Sequence, residues 1–436
     1  MTKLETLRGE LNKHLGKTDL ENINTLLEKA ITGSSLDHNL VRTLISTLPE
    51  LKKPKISILQ ISTKSTTIIQ KLIHKYQDQC HFLDITLLFD NQEEMEICKM
   101  IGDRYFPVNG MLAVHYKTAK FLDLQITRKF DLVIGIPENQ KIYSQEKKQL
   151  CAEYNDPNAN NLISFITQKC LSTANHLALI YPKYFLHNAE YHSTRQRLAE
   201  IEINTIVDYG EHGFCESYSE TVCLVANCRA KPNSTRVISL AMKQRTSQSQ
   251  ADITNPMFPT WIVYTNDFFK HMVGKLEFDQ LKVYRDRSIS ARLTHDKGEI
   301  RVLNAKNIPR NTKSVIHTAN DVFVNAIDMV KTESYRYMNH PNAYICPNLT
   351  AHPRMLEKPL NTIASGSLAV FTCKDGGSLT QEQLDFFGSE EFENFYRLVR
   401  NYCTRSLNID KNAAFYFGKL KTEKPQWLRF FFVVPL

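Results

Sequence analysis

The fold is decided by the stretch Phe130-Asp131-Leu132-Val133-Ile134-Gly135-Ile136-Pro137-Glu138-Asn139. The apolar run after Asp131 is too short for a helix, and Pro137 cannot extend a strand. The pattern therefore predicts a buried parallel strand that ends in a tight turn. In open α/β sheets ligands bind just outside the carboxyl ends of such strands, so residues 135–139 are predicted to lie at the functional edge of the sheet.

Strand and helix patterns alternate on both sides of this stretch. Strands are predicted at 56–61, 82–89, 132–135 and 176–181, and helices at 66–76, 93–101 and 162–171. Strands that alternate with helices of this length form βαβ units, so the sequence predicts an α/β fold with a mostly parallel sheet and helices on both faces. Two further strands, 203–209 and 221–227, are expected to form an antiparallel hairpin at the edge.

Composition divides the 436 residues into four regions. Residues 1–50 carry three amphipathic helical patterns and are expected to form a helical cap, and residues 51–230 carry the strand–helix alternation. Residues 231–257 are polar and rich in turn residues, which predicts a linker. Residues 258–436 lose the alternation, which predicts an α+β domain with one clear helix at 381–402.

Composition also limits the classes of protein to which the chain can belong. The charged fraction of 23% and the hydrophobic fraction of 42% are ordinary for a globular protein. We find no apolar run long enough to span a bilayer, no secretory signal and no CxxC pair among the ten cysteines. These features predict a cytoplasmic protein with reduced thiols and no metal site. The formal net charge of +8 permits a polyanionic partner.

The loop after the central strand resembles the catalytic loop of the adenine-N6 DNA methyltransferases. In that family the strand and its glycine lead into Asn-Pro-Pro and an aromatic residue, and here the same frame reads Ile136-Pro137-Glu138-Asn139. Other segments follow the family in the same order: Pro182-Lys183 at the end of a strand, 195–198, 206–209 and 213–214. The resemblance to restriction-modification enzymes implies a Rossmann-like methyltransferase sheet in residues 51–230 and a target-recognition domain in residues 258–436.

The resemblance also assigns the chemistry of the catalytic loop. The family polarises the amine of a flipped adenine with the Asn side chain and the carbonyl of the next Pro, and stacks the base on the aromatic ring. Ile136 stands at the Asn position without a side-chain acceptor, and Pro137 keeps its carbonyl. Glu138 replaces the second Pro, and Asn139 replaces the ring. Phe214 resembles a second aromatic residue of the pocket, with an ordinary core Phe as the alternative. The substitutions predict an inactive loop.

The cofactor implied by the resemblance is S-adenosylmethionine. The family has an acidic residue and then glycines after its first strand, because that turn approaches the cofactor closely and often needs a positive φ. Residues 60–66 read Gln-Ile-Ser-Thr-Lys-Ser-Thr and contain no glycine, which argues against cofactor binding in this chain. Asp90 stands where the family binds the ribose hydroxyls, and Asp123 where an acidic residue lies near the adenine. A helix cap or a solvated turn is the alternative for both.

Two basic groups in residues 258–436 are candidates for contacts with double-stranded DNA. Arg and Lys suit phosphate contacts, and Arg also reads base edges in the major groove. A solvated charged face is the alternative. Arg397 and Arg400 are three residues apart and are expected to share one helix face. The nine candidates are Lys282, Arg285, Arg287, Arg292, Arg301, Lys306, Arg397, Arg400 and Arg405.

Three functions are compatible with these patterns. The first is a DNA-binding, methyltransferase-like subunit that is catalytically inactive and supports an active adenine-N6 methyltransferase partner. The second is an active, S-adenosylmethionine-dependent adenine-N6 DNA methyltransferase with a divergent loop. The third is a protein-interaction scaffold, which is favoured if the basic residues are scattered in three dimensions.

Overall fold

The computed structural model describes residues 3–14, 19–106, 110–405 and 407–421. The chain divides into two compact units, an N-terminal unit that ends at Val263 and a C-terminal unit that begins at Tyr264. The residues of each unit form their own sheets.

Three helices open the N-terminal unit, as predicted for residues 1–50. The elements are α1 (Lys3–His14), α2 (Leu20–Thr32), the short strand β1 (Ser35–Leu36) and α3 (His38–Thr47). Asp19 caps α2 by accepting a hydrogen bond from Asn22 N, and Gly33 ends it in the left-handed conformation with a φ of 79°. Ile23 and Leu44 are fully buried in the same apolar core as the sheet, so these helices cover one side of it.

Among the described residues, the main sheet of the N-terminal unit has nine strands. They are β2 (Lys55–Ile61), β3 (Phe82–Phe89), β4 (Leu112–Thr118), β5 (Phe130–Gly135), β6 (Ala174–Pro182), β7 (Glu202–Gly210), β9 (Thr221–Asn227), β10 (Ser234–Ser239) and β11 (Gln244–Ser249). The short strand β8 (Phe214–Cys215) pairs with β1 instead. The helices along this part of the chain are α4 (Thr67–Tyr76), α5 (Gln92–Tyr105), α6 (Ser144–Glu153), α7 (Leu162–Thr173), α8 (His192–Ala199) and α9 (Gln250–Ile253).

The strand order of the main sheet is β11-β10-β7-β9-β6-β5-β2-β3-β4. Strands β2 to β6 are parallel to their neighbours within this group, whereas β9 is antiparallel to both β6 and β7. The order reverses at β2, which lies between β3 and β5, and this is the switch point at which doubly wound sheets bind ligands. The predicted α/β fold with a Rossmann-like sheet is confirmed.

Two predictions about the far edge of the sheet are wrong. β7 and β9 are antiparallel, as expected, but β10 pairs with the other side of β7 and places them inside the sheet. Residues 231–257 are not a linker, because they contain β10, β11 and α9. Their polar composition has a structural cause. β11 is an edge strand, exposed at nearly every position, and therefore has no apolar face to bury.

The strand β5 begins beside a buried carboxylate. Asp131 pairs with Lys53 and accepts hydrogen bonds from Ser57 N at 2.9 Å and from Asn175 Nδ2 at 3.3 Å. Burial raises the pKa of Asp131, but the contacts with Lys53 and Ser57 outweigh burial and hold the pKa below its ordinary value. These contacts tie β5 to both of its neighbours, β2 and β6.

We expect Asp131 to contribute to the acid sensitivity of the N-terminal unit. Its pKa is lower in the folded state, so its stabilisation is present above the unfolded value of about 3.9 and is lost as the pH falls through the folded pKa. Between about pH 6 and about pH 3, the free energy of unfolding should therefore fall less in Asp131→Asn than in the wild type. Denaturant titrations at both pH values check this. An equal fall in the free energy of unfolding of both proteins would show that Asp131 does not contribute to the loss of stability in acid.

The C-terminal unit is an α+β assembly, as predicted. Its strands are β12 (Leu276–Glu277), β13 (Leu281–Tyr284), β14 (Ile300–Leu303), β15 (Val322–Val324), β16 (Ala343–Pro347), β17 (Leu356–Glu357), β18 (Thr362–Ala364), β19 (Leu368–Cys373) and β20 (Lys419–Leu420). They form sheets of order β13-β19-β16-β17, β15-β14-β18 and β12-β20. Its helices are α10 (Asp267–Lys275), α11 (Ala326–Met329), α12 (Glu333–Arg336), α13 (Gln381–Phe387), α14 (Glu390–Val399) and α15 (Lys411–Phe415).

The single helix predicted at 381–402 is two helices, α13 and α14. The break lies at Gly388, and Ser389 begins the second helix by accepting a hydrogen bond from Phe392 N at 3.1 Å. No helix within the described ranges of either unit has the length and apolar character needed to cross a membrane.

Candidate functional site

The carboxyl ends of β2 and β5 meet at the switch point of the main sheet. Ile61 pairs with Gly135 in parallel register. Gly135 has a φ of 151°, and a Cβ there would lie 2.4 Å from the carbonyl oxygen of Ile61, so the position requires glycine. The loop 136–139 therefore leaves the sheet beside the loop 62–66, and the two candidate loops are neighbours.

The loop 136–139 lacks an aromatic ring. Ile136 is half-buried and packs against the apolar core, Pro137 is buried, and Glu138 and Asn139 are exposed. Asn139 Nδ2 donates a hydrogen bond to Tyr184 Oη at 2.6 Å, and Asn139 Oδ1 accepts one from Asn161 Nδ2 at 2.9 Å. The amide of Asn139 thus holds the loop to its surroundings. The aromatic residue that is hydrogen-bonded to this loop is Tyr184, which directly follows Pro182-Lys183. Tyr184 is not among the candidate residues singled out from the sequence.

The loop 62–66 turns without glycine. Ser62 adopts the positive φ of 48° that glycine adopts at lower cost, and Thr63 N donates a hydrogen bond to the carbonyl oxygen of Leu88 at 2.8 Å. Thr66 begins helix α4 but makes no capping bond with its own side chain. The turn is therefore built entirely from residues other than glycine. It carries side chains, whereas the corresponding turn of the resembled family contains glycines.

Lys64 in this loop forms an ion-pair cluster that the sequence did not reveal. Its Nζ lies 2.7 Å from Asp90 Oδ2 and 3.0 Å from Glu94 Oε2. Burial lowers the pKa of Lys64, but the hydrogen bonds and charges of Asp90 and Glu94 outweigh burial and raise it above its ordinary value. The carboxylate predicted to bind ribose hydroxyls therefore binds an internal ammonium. The sequence shows a lysine in a loop expected to contain glycines, but it does not show that this lysine pairs with Asp90 and Glu94.

A cavity of about 320 Å³ lies next to Asp90. Asp90 and Asp123, the two predicted cofactor residues, both line it, together with Glu138 and Glu146. Burial and the charge of Asp90 raise the pKa of Glu138, the third residue of the catalytic-loop frame. Lys120 also lines the cavity and Lys64 pairs with Asp90, so the charge of the four carboxylates is partly neutralised.

A second, smaller cavity of about 50 Å³ has Lys64 in its lining and shares Ser62 with the first. Its lining includes Gln60, Gly135, Ile136 and Phe214. Phe214 is half-buried in β8, so the structure places this ring at the cavity rather than inside the apolar core. A space of this size holds a few water molecules but not a nucleobase.

The residues at the switch point do not fit S-adenosylmethionine as they stand. Asp90 is engaged by Lys64, Ser62 and Lys64 carry side chains where the family has glycines, and the cavity beside Phe214 is small. Within the ranges that the structure describes, no three His, Cys, Asp or Glu side chains are grouped so that they could hold a metal ion.

The candidate DNA-binding residues differ in exposure. Lys282, Arg287, Arg292, Lys306, Arg397 and Arg405 are exposed, and Arg285 is half-buried. The side chain of Arg301 is only 11% exposed and pairs with Asp321 Oδ2 at 2.7 Å. The prediction that Arg400 shares an exposed face with Arg397 is wrong. Helix α14 ends at Val399, and the side chain of Arg400 is 1% exposed.

Arg285 joins two basic segments of the C-terminal unit. Arg285 Nη1 lies 3.3 Å from Asn408 Oδ1, so the end of β13 contacts the segment that follows Arg405. Burial and the charge of Arg287 lower the pKa of Arg285, so positive charge lies close to this guanidinium. At least part of the basic charge is therefore concentrated in one region, which counts against the scaffold hypothesis.

Comparison with family models and with curated protein sequences finds no match. Comparison with solved structures finds similarity at low identity. The Type IIL restriction-modification enzyme MmeI in complex with DNA is 10% identical, with a TM-score of 0.49 over 95% of this chain and 65% of that chain. The type I restriction-modification methyltransferase subunit from Streptococcus thermophilus is 12% identical, with a TM-score of 0.38 over 52% of this chain and 53% of that chain.

A third solved structure is the M protein of the type I restriction enzyme EcoKI. It is 14% identical, with a TM-score of 0.31 over 54% of this chain and 58% of that chain. The chain thus spans about half the length of the Streptococcus thermophilus subunit. All three are restriction-modification proteins, the class that the catalytic-loop frame resembles. The fold assignment itself rests on the strand order of the main sheet.

Proposed function

We propose that this chain is a DNA-binding, methyltransferase-like subunit that is catalytically inactive and supports an active adenine-N6 methyltransferase partner. The observation that carries the proposal is the ion pair of Lys64 with Asp90 and Glu94 at the switch point. A cofactor that used the Asp90 carboxylate would have to displace an ammonium that two carboxylates hold. That displacement costs binding free energy which the residues nearby do not return.

The catalytic loop supports the same conclusion. Methylation of adenine-N6 requires acceptors for the amine and a surface for the flipped base. Ile136 supplies no acceptor, and the side chain of Asn139 is engaged with Tyr184 and Asn161. The stacking surface that the loop lacks is worth roughly 1–3 kcal/mol per base on nucleic-acid platforms. The cavity beside Phe214, about 50 Å³, is too small for a base.

Binding of double-stranded DNA is supported by the basic residues of the C-terminal unit. The charge of Arg287 lowers the pKa of Arg285, and Arg285 contacts the segment after Arg405. Concentrated positive charge suits the phosphate backbone. Arg301 and Arg400 do not belong to this contact set, because Arg301 is committed to Asp321 and Arg400 is buried.

The test of the proposal is methyl transfer from labelled S-adenosylmethionine to adenine in duplex DNA by the isolated chain, with DNA binding measured in parallel. We expect binding without transfer. We also expect a second chain with intact glycine-rich and Asn-Pro-Pro-aromatic motifs to co-purify in stoichiometric amount and to supply the transfer. Methylation by the isolated chain would overturn the proposed loss of catalysis, and absence of DNA binding would overturn the rest.

An active adenine-N6 methyltransferase is the second candidate, and one observation favours it. Asp90 and Asp123 line the same cavity of about 320 Å³, which is the arrangement that the resemblance implies for a cofactor. In this case the Lys64 ammonium would have to leave Asp90 when the cofactor binds. The labelled-methyl assay separates the two candidates, since only the active enzyme transfers the label without a partner.

A further inference from the structure

Side chains of helix α2 cover the amino end of helix α4. Asn24 Oδ1 accepts hydrogen bonds from Thr66 N at 2.9 Å and from Thr66 Oγ1 at 2.8 Å. Glu28 accepts hydrogen bonds from Ser65 Oγ, from Thr67 Oγ1 at 3.0 Å and from Leu36 N at 2.7 Å. Both side chains are at most 5% exposed. The N-terminal helices are therefore joined to the switch point by buried polar contacts as well as by apolar packing.

The position of Glu28 has an electrostatic reason. The amino end of a helix carries unpaired N–H groups and a partial positive charge, and it favours a nearby anion. Helix α4 has ten residues, and its capping residue Thr66 makes no capping bond with its own side chain. The Glu28 carboxylate lies against Ser65 and Thr67 at this end and supplies the negative charge from within the protein.

The small cavity beside Glu28 keeps one unsatisfied polar group. Gln60 is 4% exposed and lines this cavity together with Glu28 and Lys64. Within the described part of the chain, Gln60 Oε1 has no hydrogen-bond partner. Buried amide oxygens are normally paired, so an unpaired one at a cavity wall indicates a place where a donor is accepted. The cavity thus has mostly apolar walls, and Gln60 Oε1 is a buried acceptor at its edge to which a ligand could donate a hydrogen bond.

We infer that Glu28 and Lys64 act as an internal substitute for a bound ligand at the switch point. The Glu28 carboxylate lies where an anionic group of a ligand would lie, at the amino end of helix α4. The Lys64 ammonium lies where a ligand group would contact Asp90. Removal of both side chains opens the site to a ligand that carries cationic and anionic groups, of which S-adenosylmethionine is the probe of choice. The inference rests on the proposed function, because it explains how the site closes without loss of the fold.

The test is calorimetric titration of the full chain with S-adenosylmethionine. We expect the double variant Glu28→Ala/Lys64→Ala to bind the probe at least about tenfold more tightly than the wild type. The matched control is Lys29→Ala/Glu216→Ala, which removes an ion pair of 2.7 Å from the same helix α2. Its two side chains are 41% and 58% exposed, and it should bind the probe no better than the wild type.

The outcomes separate this inference from the proposed function. Circular dichroism shows whether the double variant is folded, and Lys64→Ala alone, with the α2 contacts intact, replaces it if it is not. A folded variant that gains no affinity overturns the inference. If the wild type also binds DNA without methyl transfer, the proposed function still stands. A wild type that binds the probe as tightly as the variant overturns the inference, and methyl transfer by that wild type would overturn both.

Discussion

Substitution of Asp208 by Ala is expected to lower the free energy of unfolding of the N-terminal unit by about 3–5 kcal/mol. Asp208 Oδ2 lies 2.7 Å from Lys183 Nζ, and the two side chains are 0% and 1% exposed. Asp208 Oδ1 also accepts a hydrogen bond from Gly210 N at 2.9 Å. The substitution removes a buried carboxylate from beside the buried Lys183 ammonium, and loss of one member of a buried ion pair is strongly destabilising.

Denaturant unfolding followed by circular dichroism measures this effect. The control is Lys52→Ala, because Lys52 and Glu50 form an ion pair of 3.1 Å with side chains that are 79% and 67% exposed. An exposed pair of this kind contributes at most about 1 kcal/mol. In Asp208→Ala/Lys183→Met the buried charge is gone as well, so part of the lost stability should return. A loss in Asp208→Ala no larger than in the control would show that the buried pair does not hold β6 and β7 together.

The location of this pair connects stability with the candidate site. Lys183 directly follows β6, and Tyr184, the next residue, accepts the hydrogen bond of Asn139 in the loop 136–139. Asp208 lies in β7, on the other side of β9. The ion pair therefore fixes the end of β6 from which Tyr184 reaches the loop. The segments Pro182-Lys183 and 206–209 both follow the order of segments in the resembled family. They meet here because Lys183 and Asp208 form this ion pair.

The sequence predicted the centre of the sheet well because the signals there are local. The apolar residues Leu132 to Ile134 are fully buried, and Gly135 ends the strand where no Cβ fits. Asp90, which follows a predicted strand, lines one cavity with Asp123, which was assigned from the resemblance. The carboxyl ends of parallel strands meet at one edge, so residues at strand ends could be brought together from the sequence alone.

What the sequence did not predict depends on tertiary contacts or on exposure. Lys64 meets Asp90 only because β2 and β3 are neighbours in the sheet, and a lysine in a polar loop gives no sign of a fixed partner. The strands β10 and β11 were predicted as a linker because an exposed edge strand needs no apolar face. Arg400 was placed on a helix face, but α14 ends one residue earlier and the guanidinium turns inward.

Charge reversal of Arg285, Arg287 and Arg292 together is expected to weaken binding of duplex DNA by about tenfold or more at low salt. Each phosphate contact that is lost also makes the slope of log K against log salt shallower by roughly 0.9. Arg287 and Arg292 are exposed, and Arg285 is half-buried beside Asn408, so the three side chains add positive charge to the surface of the C-terminal unit. Anisotropy titrations of a labelled duplex at several salt concentrations give both quantities.

The control for this experiment is Arg245→Glu. Arg245 is an exposed arginine on the edge strand β11 of the N-terminal unit, outside the candidate DNA-binding set. Its reversal changes the net charge of the protein and should leave the salt slope unchanged, because no phosphate contact is lost. If the triple variant keeps the affinity and the slope of the wild type, this basic region does not contact DNA. The protein-interaction scaffold then becomes the better account of an α/β fold in which Asp90 at the switch point is held by Lys64.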